Sequence, residues 1–292
     1  MSDRPLAITA TGMVTGVGLD TYSSCAAIRA AIDNFQETHF LDSEGEWILG
    51  CEIPLDPPQR GIEKLTTMLC MALSECCQSR DLDINKVPVI ICLSEQERPG
   101  VPANQGNQLY FKTEQKLGCQ FHPESMVIKQ SRTGVISGLI QARELIYSKG
   151  HQQVIVASAD SLLCAETLHY FEQTDRLLTE ANSDGFIPGE AAAAILLEKP
   201  DPKNTSQLIC LGVGFGHEPA HIESDLPLRA DGLVTAINAA LQDAKLAIRD
   251  IDFRVADVTG EQFWFKESAL ALQRLLHQPK PEFDIWHPSD CI

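Results

Sequence analysis

Short apolar runs alternate along the chain with longer segments in which apolar residues recur every three or four positions. A short apolar run predicts a strand, and the longer spacing predicts one face of a helix. The predicted strands cover residues 6–14, 87–93, 126–129, 154–157, 192–197, 208–213, 253–258 and 283–286. The predicted helices cover residues 22–32, 62–78, 134–148, 233–246 and 266–277. This order predicts an α/β fold with a largely parallel sheet.

Two segments interrupt the alternation. Residues 95–125 include a stretch rich in Gln and Asn, at 99–118, which predicts a long excursion or lid rather than core. Residues 198–207 form a connector rich in Pro, Lys and Ser. The connector predicts two halves, at residues 1–205 and 206–292, and the order of helix and strand is weakly repeated between them.

The chain is acidic, with a net charge of −17 over 292 residues. An acidic surface repels nucleic acid and anionic lipid, so we expect neither as a partner. No apolar stretch of ~18 residues occurs, and the start lacks a basic segment followed by an apolar one. These features predict a cytoplasmic protein without a membrane span.

The ten cysteines and eight histidines follow no ligand pattern. No C-x-x-C pair occurs, and His and Cys never fall at zinc-ligand spacing. His217 and His221 lie four residues apart, but the Gly and Pro around them predict a loop. We therefore predict reduced thiols that pack as small apolar residues, with no metal site and no cofactor.

Residues 126–150 predict a strand, a tight turn at 131–134 and an amphipathic helix. Many α/β enzymes place a nucleophile at such an elbow, because the free N–H groups of the helix stabilise an anion there. Cysteine would suit that role, yet none lies between Cys119 and Cys164. The elbow offers only the hydroxyls of Ser131 and Thr133.

Three blocks of sequence together resemble the β-ketoacyl synthase branch of the thiolase superfamily. They are residues 8–35, then 150–162 with NSDGFIPGEAAAAILLE at 182–198, and IDFRVADVTGE at 251–261. The specific signal is the run Asp184, Gly185, Phe186, Gly189 and Glu190. The resemblance implies a five-layer αβαβα fold of two related halves, the second lacking its last strands at the C-terminus.

The specific run has a physical interpretation of its own. Gly185 and Gly189 supply backbone freedom that other residues lack. Glu190 precedes an Ala-rich strand, which predicts a buried carboxylate that must be paired or hydrogen-bonded. We expect a structural rather than a catalytic role for this block.

The resemblance also implies a catalytic set, which this chain does not carry. The family uses a cysteine at the elbow and two histidines that polarise a thioester carbonyl. Here Ser131 or Thr133 stands at the elbow, an ungapped count favouring Thr133, and Asp257 stands at the first histidine position. Thr259 and Gly260 of that turn are retained. An anion at Asp257 would repel the enolate that the histidine stabilises.

The second histidine position is not reached before Ile292, so we expect a fragment of a longer protein. His287 precedes that position, and we expect it to be a surface or capping histidine.

Three functions fit these observations. The first is a catalytically inactive thiolase-fold adaptor or chaperone, similar to ketosynthase-like proteins associated with type VI secretion effector clusters. The second is an active 3-oxoacyl-[acyl-carrier-protein] synthase or an acyl hydrolase, using Ser131 or Thr133. The third is a non-catalytic partner subunit of a ketosynthase, like a chain-length factor. In each case we expect a homodimer or other protein partner, with an edge strand at 154–157 covered by the symmetry mate.

Overall fold

The computed structural model describes residues 4–276, 278, 280 and 283–292. The strands of these residues are β1 Leu6–Val14, β2 Gln36–Leu41, β3 Trp47–Gly50, β4 Val89–Leu93, β5 Met126–Lys129, β6 Gln153–Ser161, β7 Glu190–Glu198, β8 Leu208–Cys210, β9 Phe253–Val255 and β10 Asp284–Trp286. The helices are α1 Thr21–Arg29, α2 Gly61–Gln78, α3 Gln105–Leu117, α4 Gly134–Tyr147, α5 Ala165–Gln173, α6 Asp231–Ala244 and α7 Gln262–Leu275. The α/β prediction is confirmed.

Six of the strands form one mixed sheet in the order β5-β4-β6-β7-β1-β8. Strand β4 pairs in parallel with β5 and β6, whereas the pairs β6–β7, β7–β1 and β1–β8 are antiparallel. The prediction of a largely parallel sheet is therefore wrong. An apolar run shows that a strand is buried but not which way it runs, since the backbone groups form a hydrogen-bonded ladder in both orientations.

Helices cover both faces of this sheet. Helix α2 packs on β1, β6 and β7, and α4 packs on β4, β5 and β6 from the opposite side. Met68, Leu69 and Leu73 of α2 are fully buried, each contributing roughly 1.5–3 kcal/mol of hydrophobic stabilisation. On the other face Gly138 lets α4 approach closely, because a Cβ there would lie 2.9 Å from Val156.

The predicted lid at 95–125 contains a packed helix instead, so that prediction is wrong for residues 105–117. Helix α3 packs on α2, and Leu109 is fully buried between Gly106 and Thr113, which are also buried. These three positions recur at helical spacing within a sequence that is otherwise rich in Gln and Lys. This one narrow buried face packs the helix against the core. It was not predicted because most residues of the segment are polar.

The boundary between the halves stays a prediction, but the first sheet extends past residue 205, because β8 pairs with β1. Beyond it, Gly212, Gly214 and Gly216 run along α6, and a Cβ at Gly214 would lie 2.1 Å from the Ala236 carbonyl oxygen. Helix α7 packs on α6, and β9 pairs in parallel with β10. The predicted end of the last helix, at 277, lies outside the described residues. Residues 211–230 form a loop around His217 and His221, as predicted.

Strand β6 lies inside the sheet, between β4 and β7. The prediction of an edge strand at 154–157 is therefore wrong, and the two edges of the sheet are β5 and β8. The order of the strands within the sheet could not be predicted from the sequence. The connection from β5 through α4 to β6 crosses over β4, so strands that follow each other in the chain are not neighbours in the sheet.

All ten cysteines are free thiols, and five of them are buried. Burial raises the pKa of Cys76 and of Cys92 to about 12, so these thiols stay protonated. Among the described residues, no helix is both long and apolar enough to reach across a bilayer.

Candidate functional site

The strand-to-helix elbow is built as the sequence predicts. Strand β5 ends at Lys129, a 3₁₀ turn follows at Ser131–Thr133, and α4 begins at Gly134. Ser131 has a φ of 49°, a left-handed value that a residue other than glycine rarely adopts. Strained backbone of this kind concentrates at functional sites. Ser131 is therefore the residue of the elbow that has the unusual backbone conformation.

The two hydroxyls of the elbow face different surroundings. Ser131 lines a cavity of about 1070 Å³. Thr133 does not line it, and its Oγ1 donates a hydrogen bond to the carbonyl oxygen of Gln130 at 2.9 Å. The ungapped count that pointed to Thr133 is thus displaced by two residues from the position that faces the cavity.

Asp257 also lines this cavity, and it pairs with the elbow. Arg132 Nη1 lies 3.5 Å from Asp257 Oδ2, and the Arg132 guanidinium lies over the ring of Trp264, 5.1 Å from its centroid. Both charged side chains are about half exposed, so the pair contributes no more than ~1 kcal/mol to stability. Its effect is local, because Arg132, next to Ser131, offsets the charge of the Asp257 carboxylate.

The cavity wall is rich in aromatic side chains, namely Tyr170, Phe171, Phe186 and Trp264. Neither cysteine nor histidine lines it among the residues that the structure describes. His287, the histidine nearest to the family's second position, adjoins the wall at Pro288 but does not line the cavity. Its ring lies 6.3 Å from that of Phe265, and its side chain makes no helix-capping hydrogen bond. The cavity thus has room and apolar surface for a ligand, but its described lining offers no thiol that could form a thiolate nucleophile.

Two bidentate ion pairs hold the wall, and sequence reasoning missed both. Arg176 Nε and Nη2 donate to the two carboxylate oxygens of Glu261 at 2.8 and 3.0 Å. Arg98 contacts both oxygens of Asp160, through Nη1 at 2.9 Å and through Nη2. Arg98 lies in the predicted excursion and carries no motif. The only sequence signal for either pair was that Glu261 ends the third block of the family resemblance.

The retained signature residues connect the first half of the chain to the second. Gly185 packs against the backbone at Leu177, where a Cβ would lie only 2.3 Å from the Leu177 carbonyl carbon. Asp184 Oδ1 accepts a hydrogen bond from the backbone N–H of Gln262 at 2.7 Å, at the start of α7. Gly260 has a φ of 92° and lies against the Gly185 carbonyl oxygen. These contacts join the loop at 184–185 to the segment at 260–262.

Glu190 is buried and paired, as its sequence context predicts. Its Oε1 contacts Lys64 Nζ and accepts the backbone N–H of Ile53 at 2.8 Å, and its Oε2 accepts the Ser161 hydroxyl at 2.8 Å. Both oxygens of the Glu190 carboxylate are therefore engaged by the scaffold, as burial of a charged group requires. Phe186, Gly189 and Thr259 complete the block: Phe186 is buried, Gly189 bridges to Cys51, and Thr259 Oγ1 donates to Glu261 at 3.4 Å.

The cavity lining holds no cluster of metal-ligating side chains within the described part of the chain. The cluster that the structure does contain, His122, Glu124 and His151, lies at the other end of the sheet.

Comparisons with known proteins agree on the fold. No protein-family model matches the chain. A β-ketoacyl-[acyl-carrier-protein] synthase III B, chloroplastic, from Cuphea wrightii is 26% identical over 181 residues. That match covers 61% of this chain but only 40% of the relative's own length.

Among solved structures, a type II polyketide ketosynthase in complex with its acyl-carrier protein superposes with a TM-score of 0.76 at 15% identity. The ishigamide ketosynthase/chain length factor superposes with 0.74 at 16% identity. Each superposition covers 97% of this chain and 80% of the other. The chain therefore has the thiolase-like fold of the ketosynthases, at less than their full size.

Proposed function

We propose that this protein is a catalytically inactive ketosynthase-like protein that acts by binding a protein partner. The observation that carries the proposal is the elbow cavity, in which the described lining offers Ser131 where a condensing enzyme needs a cysteine thiolate. A serine hydroxyl needs a general base to become a nucleophile. Asp257, one of the carboxylates that line the cavity, is engaged by Arg132.

The electrostatics support the same conclusion. Condensation develops negative charge on a thioester oxygen, which a condensing enzyme stabilises with uncharged imidazole donors. Asp257 supplies an acceptor with a negative charge instead. Its partner Arg132 offsets that charge, but the pair is half exposed and therefore screened by water. A cavity with space for a ligand and an acidic side chain at this position supports binding rather than condensation.

Acyl-carrier-protein thioesters test this proposal directly. We expect no covalent adduct by intact-protein mass spectrometry and no condensation product with the wild-type chain. Ser131→Ala and Thr133→Ala are the matched controls, since the first hydroxyl faces the cavity and the second bonds to Gln130. An adduct on the wild-type protein that disappears only in Ser131→Ala would establish the alternative, an active acyltransferase or acyl hydrolase.

The edge strand β5 supports a ketosynthase subunit as the partner, in the manner of a chain-length factor. Its outer side has no neighbouring strand among the described residues, and its four side chains are only half buried. An exposed strand edge favours pairing with another strand. One similar structure is a ketosynthase with its chain length factor, and a second copy of this chain could occupy the same edge.

The strand edge can be tested with proline, which removes a backbone donor. Size-exclusion chromatography with light scattering, alone and with a ketosynthase encoded nearby, should show a complex that Val127→Pro weakens. Ile209→Pro on the opposite edge strand β8 is the control, and we expect it to leave assembly unchanged. Equal loss with both variants would argue against pairing through β5.

The adaptor form of the proposal names a secreted effector as the partner. It rests on the resemblance, in overall length and in the replaced catalytic positions, that the sequence bears to ketosynthase-like proteins of type VI secretion effector clusters. The net charge of −17 also favours a partner with a basic surface. Coexpression with each candidate effector should yield a complex that survives purification and dissociates as salt is raised. Failure of every neighbouring gene product to copurify would contradict this form of the proposal.

A further inference from the structure

Two loops at one end of the main sheet bring together two imidazoles and a carboxylate. His122 and Glu124 precede β5, and His151 precedes β6. One ligand atom from each residue lies within 4.8 Å of the other two. The sequence predicts no metal site, because His and Cys never fall at zinc-ligand spacing, and Glu124 and His151 are 27 positions apart along the chain. Since β5 and β6 both run parallel to β4, the residues that precede them meet at the same edge of the sheet.

This edge is remote from the elbow cavity, because the elbow follows the opposite end of β5. None of the three residues lines that cavity. The cluster therefore does not depend on the function proposed above, and whatever it binds would leave Ser131 and its surroundings untouched.

The backbone that carries these side chains is held in place before any ligand arrives. The His122–Ser125 turn is closed by a 2.8 Å hydrogen bond from Ser125 N to the His122 carbonyl, and Ser125 Oγ accepts the backbone N–H of Val89 at 2.9 Å. The backbone N–H of His151 donates to the Leu145 carbonyl at 3.0 Å. His151 is 19% exposed and Glu124 is 32% exposed. A site fixed by its backbone and partly shielded from water loses little entropy on binding.

We propose that His122, Glu124 and His151 form a binding site for a divalent transition metal ion, with Zn²⁺ as the first candidate. Two imidazoles and a carboxylate are a ligand set that zinc accepts, with a fourth position left for water. Tetrahedral ligands at zinc lie roughly 3.3 Å apart, which follows from bond lengths of about 2.0–2.1 Å. The three side chains can reach that spacing by small rotations, since the rings of His122 and His151 have centroids 5.1 Å apart and are nearly perpendicular.

An ion that binds here must replace hydrogen bonds that the three side chains now make. His151 Nε2 lies against Glu124 Oε2, so the ion replaces the proton that these two atoms share. His122 Nδ1 accepts the backbone N–H of Glu124 at 3.2 Å, and binding through that ring must exchange this weak bond or shift the ring proton. Lys149 Nζ donates to Glu124 Oε1 at 2.6 Å. Its positive charge opposes a cation at the site.

The test is titration of the chelator-treated protein with ZnCl₂ near neutral pH, followed by calorimetry, and with CoCl₂, followed by visible absorption. We expect one equivalent to bind and Co²⁺ to give the intense bands of tetrahedral coordination. His122→Ala and His151→Ala should each weaken binding at least tenfold. His169→Ala, an exposed histidine on α5, is the matched control and should leave binding unchanged.

Lys149→Met should strengthen metal binding. A variant that misfolds would lose binding instead, so a gain in affinity cannot result from misfolding. Removing a cation bonded to the ligand carboxylate should raise the affinity about tenfold, the factor equivalent to ~1.4 kcal/mol. The proposal is overturned if the wild-type protein binds no stoichiometric ion. It is equally overturned if the His122 and His151 variants bind as the wild type does, or if Lys149→Met weakens binding.

Discussion

The buried ion pair between Glu190 and Lys64 should be among the most sensitive points of the scaffold. The side chain of Glu190 is 2% exposed and that of Lys64 is 6% exposed. Glu190→Gln removes one charge while keeping the shape of the side chain. The amide oxygen can still accept the Ile53 N–H, and the amide nitrogen can donate to Ser161, whose hydroxyl is free to rotate. The expected loss is therefore electrostatic rather than steric.

The magnitude follows from what remains around Lys64. Removing one partner of a buried ion pair costs ~3–5 kcal/mol, because the other charge is left uncompensated. Lys64 keeps a second partner, since its Nζ lies 2.8 Å from Glu52 Oε1. Glu52 is 42% exposed, so this contact recovers no more than ~1 kcal/mol. We therefore expect Glu190→Gln to lower the free energy of unfolding by about 2–4 kcal/mol.

Urea unfolding followed by tryptophan fluorescence measures this change, provided that the m value stays constant. Glu198→Gln, at the other end of β7, is the control: its 3.6 Å contact with Arg80 is partly exposed and should be worth less than ~1 kcal/mol. A double-mutant cycle with Lys64→Met should give a coupling of about 2 kcal/mol, because the double variant buries no unpaired charge. Strict additivity, or equal effects of Glu190→Gln and Glu198→Gln, would refute the reasoning.

Three further predictions follow from the same structure. Ser131→Cys should react with iodoacetamide about tenfold faster than the exposed Cys25 near neutral pH, because its thiol would face the cavity close to the N-terminus of α4, which lowers a thiol pKa. Thr133→Cys should show no such gain, because a thiol that donates to the Gln130 carbonyl oxygen is held in its protonated form. Gly214→Ala should cost about 1–3 kcal/mol in thermal or urea unfolding, because its Cβ meets the backbone of α6. Cys92, whose pKa burial raises to about 12, should resist alkylation in the folded protein at mildly alkaline pH.

Each of these has an outcome that contradicts it. Equal reactivity of the cysteines introduced at 131 and 133 would show that the elbow does not single out one position. Gly134→Ala is the control for Gly214, since the nearest atom to its Cβ would be 3.5 Å away; equal destabilisation would contradict the packing argument. For Cys92 the sign is fixed: above the ordinary thiol pKa of 9.0 the unfolded chain ionises first, so stability falls as pH rises toward 12. Rapid labelling of Cys92 in the folded protein would contradict its burial.

The sequence determined the local structure and the retained scaffold. Apolar runs located the buried strands, and the run from Asp184 to Glu190 predicted a buried, paired carboxylate, which the contacts of Glu190 bear out. The elbow between β5 and α4 was also readable, because the turn and the helical spacing that follows it are local properties. Helix α3 was not predicted because only three of its residues are buried and the rest of the segment is polar.

The tertiary structure alone decided everything that depends on which elements become neighbours. Strand orientation and strand order have no local signature, so the antiparallel pairings and the interior position of β6 were not predictable. The choice of Ser131 over Thr133 rests on one backbone angle and on the cavity that it faces. His122, Glu124 and His151 meet only because β5 and β6 flank β4. Sequence patterns report how a residue relates to its own helix or strand, whereas a site is made by side chains from several elements, which packing brings together.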